Sequence, residues 1–454
     1  MKKIIYTVII LFCIIAQNSI AQVAGKICNW DHDKNAAVVL TFDDWSPGQF
    51  PIATPELLKR NINATFFIVT NNVQTWDNVY WPKVQEEVTN GNEIGNHTYT
   101  HVYLNQLNTW PAGVEPAGFA GYSSLTAQIS REIGGAKKTL EQYITTQPIL
   151  SFAYPYGAYN TQVLDTVLSN GHICARGVTP PTNFTYNFAV NPMDYYNLNT
   201  YPMSSSVTLN AFYGQIQNVI NGGGLLTYLY HSLDNGTEYG DNWYSQVQQS
   251  ALELQMDTLV SVRNKVWITT LMQAIKYHKE KRCAALNQVQ AFDGTKWIVN
   301  LTDTLSQNSI YNQPLSLKLK MNGIPYKGIM QNGNSISIDS VYSDTIMFRA
   351  IPDNGPITLS VNTTTGINPG DFSTNEITLS PVPTNGILNI HATKTMQSPS
   401  FTVYDATGRK VYDASTSGDI NTYQIDLSGY TRGIYYVYIS ELNGTSVKKA
   451  LVMD

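Results

Sequence analysis

Asp43 and Asp44 stand side by side at the end of an apolar run, residues 36–42, where a strand finishes and side chains can project into a pocket. Adjacent carboxylates repel one another unless a cation lies beside them, so the pair is either a turn or cap signal or part of a charged site. His97 and His101, in His-Thr-Tyr-Thr-His, favour the charged site. Imidazoles at i and i+4 lie on one face of a helix and can reach one metal ion together, with Asp44 as an anionic third ligand. Three protein ligands and one open position are what hydrolytic zinc requires. Such a centre also needs a base to take a proton from water and an acid to give one to the leaving group. Asp43, beside Asp44, is placed for the base. His231 follows the apolar run 225–230 and emerges at a strand end, where it is either the acid or a half-buried structural histidine.

These side chains need a scaffold that delivers them to one place. From about residue 36 to 278 short apolar runs alternate with helix-like stretches, the pattern of a βα domain. Strands are predicted over 36–42, 64–69, 151–154 and 225–230, and helices from 55, over 126–143, 161–168 and 269–278. Beyond Cys283 the helical period disappears; 315–321 and 335–338 alternate strictly, which predicts a small β domain over 283–362. A polar Thr/Gly/Pro stretch, 363–375, reads as a linker, and 376–454 as a second β domain with strands at 401–404 and 434–439. Turns are expected at 405–408 and at Asn443-Gly444.

Composition narrows the class. A chain of 454 residues with 43% hydrophobic and 13% charged residues is long enough for two or three packed units. A net charge of −5 with no long basic run argues against nucleic acid as a partner and suits a neutral polymer. Lys2 and Lys3, the apolar run 4–15 and Ser19-Ile20-Ala21 read as a signal peptide, residues 1–21, too short to span a bilayer. No later run is long enough to span. The remaining cysteines, Cys28, Cys174 and Cys283, allow at most one intrachain disulfide. Cys28 with Cys283 is the pair to test, free thiols the alternative.

Taken in order, Thr41-Phe42-Asp43-Asp44, Ala64-Thr65-Phe66-Phe67, His97-Thr98-x-x-His101, Tyr154-Pro155-Tyr156-Gly157 and Leu229-Tyr230-His231 resemble the polysaccharide deacetylase family, the fourth family of carbohydrate esterases. The likeness covers about residues 30–280. It implies a distorted (β/α) barrel, an α/β fold, followed here by the two small sandwich-like β domains, and a divalent metal, usually zinc. By that likeness Asp44, His97 and His101 bind the metal, Asp43 is the base, His231 the acid, and the Tyr156 N–H stabilises the oxyanion. Leu229 would line the acetyl pocket, with Tyr154 and Pro155 beside it. The substrate class implied is an acetylated polysaccharide such as an N-acetylglucosamine glycan. An O-acetyl xylan esterase or an inactive glycan-binding protein are the alternatives.

Two departures matter. Trp45 stands where the family usually has Gly, and reads as either a stacking platform for a sugar ring or as packing. Ala153 stands where many members have an Arg beside the proline, so the usual partner of Asp43 is missing; Arg176, at the end of the next strand, is expected to replace it. The family's fourth motif has only Asp194 as a weak candidate. In the tail, 379–386, 403–408, Gly433-Ile434-Tyr435 and Lys448-Lys449 resemble a type IX secretion sorting domain, which implies export by that machinery to the medium or the outer cell surface.

Overall fold

The computed structural model describes residues 24–76, 80–180, 194–237, 240–241, 243–290, 296–307, 309–321, 326–361, 377–406, 409–441 and 444–453. The expected signal peptide 1–21, the linker 363–375 and parts of the turns at 405–408 and 443–444 lie outside the described residues. No described helix is long and apolar enough to cross a membrane.

After β1 (Ala24–Ile27), strand β2 (Ala36–Asp43) is buried at every position. A parallel strand covered on both faces has to be, which is why its sequence runs apolar without alternation. Then come α1 (Thr54–Arg60), β3 (Thr65–Ile68), α2 (Thr70–Trp76), α3 (Tyr80–Thr89) and β4 (Glu93–Asn96). They are followed by α4 (Leu125–Ile129), α5 (Ala136–Tyr143), β5 (Ser151–Ala153), α6 (Thr161–Ser169) and β6 (Cys174–Arg176). The series ends with β7 (Tyr201–Pro202), α7 (Leu209–Gly222), β8 (Leu225–Tyr230), β9 (Leu233–Asp234), β10 (Val247–Gln248), α8 (Gln249–Ser261), β11 (Val266–Ile268) and α9 (Leu271–Cys283). Ser124, Asn160 and Thr208 start α4, α6 and α7 by accepting the N–H three residues on. The stretch 126–143, expected as one helix, is α4 and α5 joined by a π segment, Ser130–Gly135.

The strands pair in the order β6-β5-β4-β3-β2-β8-β7, all parallel. On one edge of β2, β11 pairs with its start (Val266 with Ala36) and β3 with its end (Thr41 with Thr65). This is the sheet of a distorted (β/α) barrel. Because every strand runs the same way, the residues that follow β2, β4, β5, β6 and β8 emerge at one end, where such folds carry their chemistry.

Beyond the barrel are β12 (Ala285–Gln290), β13 (Lys296–Thr302), β14 (Leu315–Lys320), β15 (Tyr326–Gln331), β16 (Asn334–Ile336), β17 (Ile338–Tyr342), β18 (Thr345–Ala350) and β19 (Ile357–Val361). They form two antiparallel sheets, β1-β14-β18-β17 and β12-β13-β19-β15-β16. The alternating run 335–338 is divided, β16 closing one sheet and β17 the other. These sheets do not stand apart from the barrel. β1 is a strand of the first, with Lys26 opposite Lys318, and one apolar cluster joins Leu317, Phe348 and Trp297 to Ala37, Val39, Leu271 and Tyr277. Residues up to Val361 therefore make one compact unit. Among the described residues the cysteines are free thiols, with Cys28 and Cys174 buried and Cys283 partly so; the Cys28–Cys283 disulfide is not formed.

The second compact unit holds β20 (Ile377–Ser380), β21 (Ile387–Met396), β22 (Ser400–Asp405), β23 (Lys410–Ser415), β24 (Ile420–Asp426), β25 (Gly433–Glu441) and β26 (Gly444–Val452). Two sheets, β20-β21-β24 and β23-β22-β25-β26, enclose a core that includes Leu388, Ile390, Phe401, Val403, Val437 and Ile439. Alternation in the sequence marked these strands because one face of each is buried and the other wet.

Under the barrel's helices, Glu87 is fully buried; its carboxylate accepts the Thr54 hydroxyl and the Asn92 amide (2.6 Å). Burial raises its pKa from 4.5 to about 7. A carboxyl with a raised folded pKa binds more protons folded than unfolded, so stability is highest below about pH 4.5 and falls as pH climbs to about 7. The full loss is about 3 kcal/mol. Glu87→Gln removes the charge while its carbonyl can still accept the Asn92 amide and its NH2 can donate to the Thr54 hydroxyl oxygen. Thermal melts should therefore place the variant a few degrees above the wild type at pH 8 and level with it near pH 4.5; equal melts at pH 8 would contradict the assignment.

Candidate active site

β2 ends by turning Asp43 to the inner face of the barrel, since Ala36, Val38, Leu40 and Phe42 take the outer one against the helices. Asp44 and Trp45 follow with φ 74° and 59°. β4 ends at Asn96, and the next residues form an irregular loop with Thr98 at φ 73° and His101 at φ 60°. The helix expected for His97 and His101 is absent. A β-branched residue in the left-handed region is strained, and the loop is held there by Glu132. That buried carboxylate accepts the N–H groups of Tyr99 (2.9 Å) and Thr100 (2.8 Å) and the hydroxyls of Thr100 and Tyr122. The π segment is what carries Glu132 inward.

The loop achieves what the helix was expected to do. His97 Nε2 and His101 Nε2 are 3.1 Å apart, and each is 3.4 Å from Asp44 Oδ1. Nitrogen and oxygen ligands held about 2.1 Å from a tetrahedral cation stand about 3.4 Å from one another, so the three atoms fit one. Two further observations agree. Asp43 Oδ1 and Asp44 Oδ1 are buried with no hydrogen-bond partner, a costly state that a cation or a polarised water would relieve. The other ring nitrogens are occupied: His97 Nδ1 lies 2.9 Å from the Ala153 carbonyl and His101 Nδ1 2.8 Å from the Tyr156 hydroxyl. Donation from Nδ1 fixes the tautomer whose Nε2 lone pair faces the centre.

Asp43 is 3% exposed at its side chain and lies 3.4 Å from His97 Nε2. Its other neighbour is Arg176 at the end of β6, fully buried, whose Nη2 donates to Asp43 Oδ2 while Nη1 donates to the Gly177 carbonyl (2.8 Å). Phe67 lies under the guanidinium, 5.0 Å away. Ala153 and Arg176 are register partners across β5 and β6, so the charge comes from the strand next door at the same level.

His231 follows β8. Its carbonyl accepts Gln49 Nε2 (3.0 Å), and Gln49 Nε2 also reaches the Asp43 carbonyl. Asp241 Oδ2 accepts Ser46 Oγ and the Gly48 N–H, both at 2.8 Å. These bonds lock the loop after Asp44 to the loop after His231. A side chain at Gly48 would meet the Leu233 carbonyl at 2.4 Å, so only glycine allows the approach. Ser46, Gln49, Glu132 and Asp241 carry no sequence signal apart from polarity, and each depends on at least one partner more than 30 residues away.

The electrostatics follow from burial and neighbours. Burial pushes the Asp44 carboxyl up, but His101, His97 and His231 outweigh it and hold it well below the usual range. Burial brings His101 down to about 4, leaving it neutral, and also lowers His231 against the pull of Asp44 and Asp43. His97 is raised: burial lowers it, and the two carboxylates more than compensate.

Not every expected residue reaches the site. Trp45 is 2% exposed and packs edge-on to Phe66 and tilted against Phe50, so it offers no face to a sugar. Its left-handed φ explains why glycine suits the position; core packing holds the tryptophan there. Tyr154 is fully buried and stacks on Tyr159 with Phe152 at its edge, and Pro155 is buried, so neither is positioned to touch substrate. Leu229 lies on the inner face of β8, since Leu226, Tyr228 and Tyr230 take the outer one. Tyr156 has φ 57° beside Gly157 and packs on Tyr103 as well as His101. Asp194 is exposed in a turn. One aromatic missed in the sequence lies at His231: Tyr244, 65% exposed, meets its ring edge-on at 4.9 Å, and its chain neighbour Trp243 is 56% exposed.

Comparison with known proteins shows what these residues are similar to. Residues 31–174 match the model of the polysaccharide deacetylase family, and residues 378–453 that of a secretion system C-terminal sorting domain. A gellan lyase from Bacillus sp is 20% identical over 363 residues, 76% of this chain and 14% of its own length. A peptidoglycan-N-acetylglucosamine deacetylase of Bacillus cereus is 27% identical over 199 residues, 43% of this chain and 77% of its own. Among solved structures, a putative polysaccharide deacetylase from Mycobacterium smegmatis aligns with 56% of this chain and 94% of its own at 15% identity and a TM-score of 0.38.

Proposed function

We propose that this chain, which joins a polysaccharide deacetylase domain to a secretion-system sorting domain, hydrolyses acetyl groups from an N-acetylglucosamine-containing polysaccharide outside the cell. The observation that carries the reading is the triangle of Asp44, His97 and His101, with an ionisable acid and an imidazole flanking it. Two imidazoles and one carboxylate suit zinc. Asp44, His97 and His101 would hold a divalent cation, which would supply Lewis acidity to the carbonyl and the water.

The protein's own groups do the rest. Asp43 receives the proton of the water on Oδ1, the oxygen that Arg176 leaves unpaired. His231 gives a proton to the leaving nitrogen; burial favours its neutral form, so the proton it delivers is the one Asp43 removed from the water, and both groups end as they began. The Tyr156 N–H donates to the developing oxyanion, a contact commonly worth about 3 kcal/mol of barrier. Leu229 faces the acetyl methyl from the inner side of β8.

The test is acetate release by the wild type and Asp43→Asn from N-acetylglucosamine oligomers and from acetylated xylan. The expected result is release from the amide substrate, reduced about 10²-fold or more in the variant. Release from xylan alone would move the substrate to O-acetyl esters on the same site. Bound metal with no release from either, in either protein, would make the chain a glycan binder and overturn the hydrolase.

A further inference from the structure

One cavity of the described residues lies away from the Asp44 cluster. It holds about 620 Å³ and lies across the outward face of the sheet β1-β14-β18-β17. Leu317, Leu319, Ile346 and Phe348 turn inward to the core, so the alternate positions Lys318, Lys320, Thr345 and Met347 face out. Lys26 on β1 is the register partner of Lys318, which brings three ammonium groups together on two adjacent strands. Asp33, the acid in the cavity wall, is taken by Lys318. Lys26 and Lys320 are exposed and form no ion pair among the described residues. At the far rim Tyr342, on the edge strand β17, is 84% exposed, with Ser340 and Thr345 lining the floor beside it.

Like charges gathered without counter-ions cost free energy, and a nearly bare tyrosine on a strand gains little from folding. A ligand that brings carboxylates to the lysines and a ring face to the tyrosine answers both. We infer that this groove binds an acidic polysaccharide, a polymer of uronate-bearing sugars, through Lys26, Lys320 and Tyr342. The volume lies within the range of ordinary ligand sites. The groove stands by the N-terminal ends of the barrel strands, with Asn264 preceding β11 and Asp33 preceding β2, whereas the Asp44 cluster is at the C-terminal ends. It is therefore an anchoring site on a glycan matrix, separate from the hydrolytic centre, and it stands whether or not that centre is active.

Affinity electrophoresis of the full chain lacking residues 1–21, in gels containing polygalacturonate, polyglutamate or dextran, tests the assignment. Polygalacturonate should retard the wild type, with or without EDTA, and the other two polymers should not. Lys26→Gln with Lys320→Gln should weaken retardation about tenfold or more, and Tyr342→Ala should weaken it severalfold, with the melting temperature unchanged in both. Equal retardation by polyglutamate would reduce the site to bare charge, and equal retardation by dextran would remove the charge from it. Either result, undiminished binding in the lysine double variant, or no retardation of the wild type, overturns the proposal.

Discussion

His101→Ala is expected to leave the purified chain without bound divalent metal and to lower acetate release about 10³-fold or more. The loss follows from the geometry: without this imidazole, only His97 Nε2 and Asp44 Oδ1 remain, 3.4 Å apart, as ligands. Lewis acidity contributes several kcal/mol to the barrier, and each 1.4 kcal/mol is a factor of about ten. The fold should survive, because His101 is 22% exposed at its side chain and sits on a loop that Glu132 holds through its neighbours. A graded companion sharpens the test. Tyr156→Phe removes only the hydroxyl beside His101 Nδ1 and should weaken metal affinity about 10–100-fold while keeping the ligand set. Elemental analysis after dialysis, beside the acetate assay, reads both. A full equivalent of metal in His101→Ala would remove that residue from the ligand set.

How much of this could be seen in the residues alone depends on the range of each interaction. β2 and β8 announce themselves because burial on both faces demands an unbroken apolar run, and the tail strands because burial on one face demands alternation. The pairing of His97 with His101 was visible as spacing, but spacing alone does not distinguish a helix from a strained loop. What decides it is Glu132, more than thirty residues on, whose carboxylate gathers the loop's N–H groups. Trp45 was ambiguous for the same reason: an aromatic beside two acids reads equally as platform or packing until Phe50 and Phe66 are seen around it. The role of β1 was invisible, since its partner β14 lies almost 300 residues away and four residues carry little pattern.

Arg176 shows the same point with the largest consequence for stability. Arg176→Ala is expected to destabilise the first compact unit by about 3–5 kcal/mol, because Asp43 would keep a buried charge with its cationic partner gone. Acetate release should fall about 10²-fold with it, since a base that has lost its anchor is no longer held in position. A purely structural arginine would give the first effect alone. Two further variants separate the roles. Adding Asp43→Asn to Arg176→Ala removes the stranded charge and should return part of the lost stability without any activity. Moving the guanidinium to the paired strand, as Ala153→Arg with Arg176→Ala, should return activity as well, because Ala153 and Arg176 stand opposite one another in register beside Asp43. Denaturant unfolding and acetate release on the four proteins measure this. If the relocated arginine restores at least ten of the hundred lost, the strand that carries the charge is immaterial and its contact with Asp43 is what the reaction needs; if it restores stability but no turnover, Arg176 acts on the fold and not on the base.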